Sequence, residues 1–133
     1  MQDLQQWIKT CEGLNLNSYV DINGHLTIGW GRNLENGINL NEAELMFQND
    51  FNRALSELQK CDWFLMQPEG VQNALINMNF NLGIGKLQGF KRMILALRVK
   101  DYTLAALEAL DSRWSNQVHK RANDIAVMIR AGK

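Results

Sequence analysis

The chain has 133 residues, 46% hydrophobic and 21% charged, with 14 basic and 14 acidic side chains. That length fits one compact unit, or two lobes sharing a core, rather than several domains, and the composition excludes a disordered chain. No apolar run approaches the roughly 18 residues of a membrane-spanning helix, and Met1-Gln2-Asp3-Leu4 lacks the basic and apolar regions of a secretory signal.

Leu4, Trp7, Ile8 and Cys11 recur at three and four, which predicts an amphipathic helix over 3–11 with Asp3 as its cap. Gly13 stops it. Cys11 is expected to be a buried free thiol on the apolar face. Glu12 then falls at the helix C-terminus, where the dipole disfavours a second negative charge, a setting that suits a general acid. Next, Ser18–Ile22 and His25–Trp30 read as two short strands joined by the turn pair Asn23-Gly24. Asn36-Gly37 offers a second turn, with Ile38 closing a third strand. Asn41-Glu42-Ala43-Glu44 has the form of a capping box with Asn41 as cap. It opens a long helix to about Lys60, with Phe47, Phe51, Ala54, Leu55 and Leu58 on one face.

The rest of the chain reads as helical. Pro68 suits the first turn of a helix through Val71, Ala74, Leu75 and Met78 to about Leu82. Gly83 and Gly85 break it, and Gly89 precedes another helix carrying Met93, Ile94, Leu95 and Leu97. Asp101 or Thr103 starts the next, and the last spans about 120–130 and ends at Gly132. The apolar stripes and the six methionines are expected in the core. The fold class is therefore α+β, mainly α: a hairpin lobe at about 12–40, a linking helix at 41–60 and a helical lobe at about 62–133.

The charge is unevenly spread. Up to Glu69 the only basic residues are Lys9, Arg32, Arg53 and Lys60; beyond Gly70 the only acids are Asp101, Glu108, Asp111 and Asp124. Either a basic surface steers toward an anionic polymer, or the two halves complement each other. Nothing concentrates the positive charge as a nucleic-acid reader requires, so no nucleic-acid partner is expected. Cys11 and Cys61 make no disulfide framework. His25 and His119 have no partners at metal-ligand spacing, so neither metal nor cofactor is expected.

Glu12 and Asp21 form a carboxylate pair, the equipment of glycoside hydrolysis: one protonates the leaving oxygen while the other works on the opposite face of the sugar. Nine extended residues span about 30 Å, so the bend at 13–17 has to bring the two together. From the spacing alone they are either such a pair or a solvated helix end and a turn residue. The ordered set Glu12-Gly13, Tyr19, Asp21, Gly24, Thr27-Ile28-Gly29 and Gly31 resembles the phage-type lysozymes, the T-even phage muramidases and their relatives. Phe80-Asn81-Leu82-Gly83, Ser112-Arg113-Trp114, Asn116-Gln117 and Arg121-Ala122 are similar to later segments of that family.

The resemblance implies a single lysozyme domain that cleaves the β-1,4 bond between N-acetylmuramic acid and N-acetylglucosamine of peptidoglycan, with inversion. It implies Glu12 as general acid, Asp21 as positioning the attacking water or stabilising the oxocarbenium-like transition state, Thr27 as helping to hold that water, Phe80 and Asn81 as cleft residues, and Arg121 near the acid. Arg32 stands where many relatives carry His, and the short segment before Asn41 implies a reduced cleft rim. The expected setting is a monomer made in a host cytoplasm, released through a holin-type pore to periplasmic peptidoglycan, or carried in a virion. The rival expectation is an inactive wall-binding or virion structural module of the same fold.

Overall fold

A computed structural model describes residues 3–133 and forms two compact units, dividing after Met46. The fold is α+β and mainly α, with one small antiparallel sheet. In the first unit, helix α1 (Asp3–Glu12) precedes strands β1 (Asn15–Val20), β2 (Leu26–Gly29) and β3 (Arg32–Asn33), paired in sequence order. The third strand is therefore Arg32–Asn33 and not a segment ending at Ile38; the chain leaves it through a single 3-10 turn, Leu34–Asn36. Asn33 stops the strand by capping that turn, its side chain accepting the Glu35 N–H at 2.8 Å.

Helix α2 (Leu40–Gln59) begins one residue before the expected box, and its cap lies two residues before Asn41. Its cap is Asn39: the Glu42 N–H donates to Asn39 Oδ1 at 2.9 Å, and the Asn39 N–H donates to Glu42 Oε1 at 3.0 Å. The other oxygen of Glu42 takes the Arg32 guanidinium at 2.6 Å, tying β3 to the first turn of α2. Thr27 is the only buried residue among those described up to Met46. Cys11, expected inside, is a free and exposed thiol on the same helix as the exposed Leu4, Trp7 and Ile8. Periodicity defined the apolar face of α1 correctly but carries no information about what covers it.

The second unit continues α2 and adds α3 (Asp62–Leu65), α4 (Glu69–Leu82), α5 (Ile84–Gln88), α6 (Lys91–Arg98), α7 (Tyr102–Leu110), α8 (Arg113–Gln117) and α9 (His119–Ala131). Pro68 caps α4 rather than entering it, and α3, α5 and α8 are short helices that the sequence pattern did not separate from their neighbours. Asp101 starts α7, its side chain accepting the Leu104 N–H. One apolar core includes Leu58, Phe64, Val71, Leu75, Met78, Leu87, Met93, Leu97, Ile125 and Ile129. Of the methionines only Met78 and Met93 lie in it; Met46, Met66 and Met128 are exposed, and Met1 lies outside the described residues. Long unbranched side chains tolerate either place, so composition did not decide between them.

Small alanines let α7 and α9 approach closely, with Ala105, Ala106, Ala109, Ala122 and Ala126 all buried. A polar chain runs through the same unit. The Tyr102 hydroxyl donates to Gln67 Oε1 at 2.7 Å, and Gln67 Nε2 donates to the carbonyls of Trp63 and Leu97. Burial raises the Tyr102 phenol above its ordinary pKa. Leu75→Ala, in the closed core, is expected to cost about 2–5 kcal/mol. Leu16→Ala, on the exposed strand β1, should cost less than about 0.5 kcal/mol. Urea unfolding of both variants checks the contrast.

Candidate active site

Asp21 and His25 close the loop between β1 and β2. The Asp21 N–H donates to the His25 carbonyl at 2.9 Å, and the Gly24 N–H donates to the Asp21 carbonyl at 3.0 Å. Gly24 alone of the loop has positive φ, +85°. A two-residue Asn-Gly turn needs positive φ at both positions. This is instead a three-residue loop, Ile22–Gly24, with the glycine completing it.

The carboxylate of Asp21 explains the loop length. Its Oδ1 accepts the N–H groups of Asn23 and His25, each at 2.9 Å, which satisfies two donors that the turn would leave unpaired. The His25 N–H first, and then the Asn23 N–H and the charge of His25, hold the Asp21 carboxyl below the usual carboxylate range, while desolvation works the other way. Its Oδ2 makes no bond among the described residues.

Thr27 lies on the neighbouring strand. The register pairs it with Tyr19 and with Asn33. Residues directly opposite share a face, so Tyr19, Thr27 and Asn33 lie on one side of the sheet, with Asp21 and His25 in the adjoining loop. Thr27 is 3% exposed. Its hydroxyl donates to the His25 carbonyl at 2.8 Å, which uses its only proton and leaves it an acceptor. Asp21 Oδ2 and Thr27 Oγ1 are thus both acceptors. A water that gave one hydrogen to each would keep its oxygen lone pairs free.

Glu12 ends α1, where the Gly13 N–H closes the helix on the Lys9 carbonyl at 2.9 Å with φ +74° at Gly13. The helix end meets the turn after β2. A methyl group on Gly31 would overlap Glu12 Oε2 and lie 2.9 Å from its Cδ, and Gly31 also has positive φ, +76°. One residue earlier, the Lys9 ammonium sits 4.4 Å from the centre of the Trp30 ring. Glu12 is exposed, and the missing side chain at Gly31 leaves the space that its carboxyl occupies.

The other sequence-derived candidates belong to the second unit. Phe80 packs against Phe47 with ring centres 5.5 Å apart, and Phe47 stacks on Phe51 at 6.2 Å. With Asn73, Ile76, Asn77 and Arg121 these rings line a pocket of about 350 Å³. Arg121 donates from Nε to Asn77 Oδ1 at 2.7 Å and from a terminal nitrogen to the Asn77 carbonyl at 3.2 Å. Asn81 accepts the Trp114 indole N–H at 2.7 Å, which orients its amide. Phe47, Phe51 and Asn77 were not singled out from sequence as site residues. Phe47 and Phe51 stood out only as a helix face, and Asn77 only shares a helical face with Phe80 at i, i+3. His25 was missed as well, because it acts at the loop through its backbone.

A model of the family described as phage lysozyme matches residues 9–129. Two relatives in Dictyostelium discoideum bear the names probable T4-type lysozyme 2 and probable T4-type lysozyme 1. They are 23% and 24% identical over 163 residues, covering 99% of this chain and 96% of each relative. The pre-baseplate central spike protein Gp5 of Enterobacteria phage T4 is 25% identical over 160 residues, covering 97% of this chain and 28% of that protein.

The lowered pKa of Asp21 makes it a source of acid-sensitive stability. Its contribution is complete above the ordinary aspartate value and is lost as pH falls through the depressed folded value. Melting temperatures taken from neutral pH downward should therefore fall less steeply in Asp21→Asn than in the parent chain.

Proposed function

This chain belongs to the phage lysozyme family, and from that premise we propose that it is a muramidase hydrolysing the β-1,4 bond between N-acetylmuramic acid and N-acetylglucosamine in peptidoglycan. The observation that carries the reading is the pair of acceptors, Asp21 Oδ2 and Thr27 Oγ1, tied to the same residue His25, in a unit where the helix-end carboxyl of Glu12 lies against Gly31. Glu12 acts as general acid and gives its proton to the glycosidic oxygen. Asp21 and Thr27 take the two hydrogens of a water, and Asp21 accepts a proton as that water attacks the anomeric carbon from the opposite face. The product leaves with inverted configuration. No residue of this scheme calls for a metal or cofactor.

Phe80 offers a ring face and Asn81 an oriented amide donor to the saccharide. Arg121, anchored by Asn77, supplies a fixed positive charge to the pocket that Phe80 lines within the second unit. The chain works as a monomer on the wall. The described residues hold no helix long and apolar enough to cross a membrane, and the free enzyme would reach the wall through a holin-type pore. A second setting, attachment to a phage particle, is favoured by one observation: a relative is a central spike protein of which this chain matches only 28%. Detection of the chain in purified virions supports that setting, and its recovery from the soluble lysate alone supports the free enzyme.

Glu12→Gln keeps the size and the contact of the side chain but removes its acidic proton. It is expected to lower the release of reducing ends from purified peptidoglycan by about 10²- to 10⁴-fold. Wall binding without any release by the parent chain would instead identify a binding module. NMR of the first product should show the α-anomer; initial appearance of the β-anomer would contradict inversion.

A further inference from the structure

Asp21 and Thr27 share no bond in the structure; each bonds to His25. The His25 N–H holds Asp21 Oδ1 at 2.9 Å, and its carbonyl takes the Thr27 hydroxyl at 2.8 Å and the Asp21 N–H at 2.9 Å. Any rotation of the His25 backbone therefore moves both groups at once. The His25 ring leaves the loop, and its Nδ1 bonds to Glu35 Oε2 at 3.1 Å. Glu35 is not free to follow it. Its own N–H is held at 2.8 Å by Asn33 Oδ1, and Asn33 pairs with Thr27 across the sheet. The links close a circuit: Thr27 to His25, His25 to Glu35, Glu35 to Asn33, and Asn33 back to Thr27.

We propose that His25 and Glu35 are a positioning pair, whose side-chain bond fixes the His25 backbone and through it the spacing of the Asp21 carboxylate and the Thr27 hydroxyl. The proposal rests on the reading that these two groups hold the attacking water. Both partners are about half exposed, at 46% and 52%, so their bond adds little to stability. A displaced nucleophile, in contrast, lowers the rate steeply. Imidazole and carboxylate here act on geometry and touch no substrate.

The experiment measures kcat, KM and Tm on soluble peptidoglycan fragments for His25→Ala, Glu35→Ala, His25→Asn and the double variant Asp21→Asn/His25→Ala. Each alanine variant is expected to lower kcat about 5- to 20-fold with KM and Tm nearly unchanged. In His25→Asn the side-chain amide can donate to Glu35 from nearly the same place as Nδ1, so most of the rate should return. In the Asp21→Asn background His25→Ala should cost clearly less than in the parent chain, because one of the two groups it positions is already lost. Unchanged kcat in both alanine variants, or an undiminished loss in the Asp21→Asn background, overturns the proposal while an active parent chain preserves the muramidase reading. A parent chain that releases no reducing ends overturns both.

Discussion

One carboxylate oxygen, Asp21 Oδ1, receives two backbone N–H groups, and the hairpin that carries the candidate site depends on this arrangement. An ionised oxygen is a strong acceptor, and two donors at 2.9 Å settle both the length of the loop and the direction of the second oxygen. The same bonds that lower the Asp21 pKa therefore also prepare it to accept from a water. The turn uses one oxygen of Asp21, and the catalytic role proposed for the residue falls to the other.

The two units are ordered by different means. Residues 47–133 are held by burial, with large side chains such as Phe64, Leu75, Met78 and Ile125 closed off from solvent and alanines where α7 and α9 approach. Up to Met46, order comes from caps, positive-φ glycines and polar links: Asn39 with Glu42, Arg32 with Glu42, His25 with Glu35, Lys9 over Trp30. Such links are directional and individually weak. They specify where a side chain points more than they resist unfolding, which suits the proposal that this segment aims carboxylates.

Legibility in the sequence followed the range of each interaction. Helices with a strong apolar period and a clear stop, α1, α2, α4 and α9, were visible because both signals lie within a few residues of each other. The sequence places the α2 cap at Asn41 where the structure has it at Asn39, because Asn39 with Glu42 and Asn41 with Glu44 satisfy the same spacing rule. What separates them is that Glu42 also holds Arg32 from another element. The Asn23-Gly24 turn was found but its length was not, since that depends on the Asp21 side chain competing for loop N–H groups. Gly31 was legible as part of the family resemblance, whereas its contact with Glu12 joins residues 19 positions apart and leaves no local trace. Cys11 shows the converse: a face can be read from periodicity, and its covering cannot.

Glu42 carries a consequence for how the first unit loses its order. Its Oε1 serves the cap of α2 and its Oε2 serves Arg32 on β3. The Asn39 N–H and then Arg32 depress its pKa, so both attachments persist in moderately acidic solution. Once a proton does bind, the strand and the helix lose their common fastener in the same event. Two elements that look separately attached thus share one titrating group.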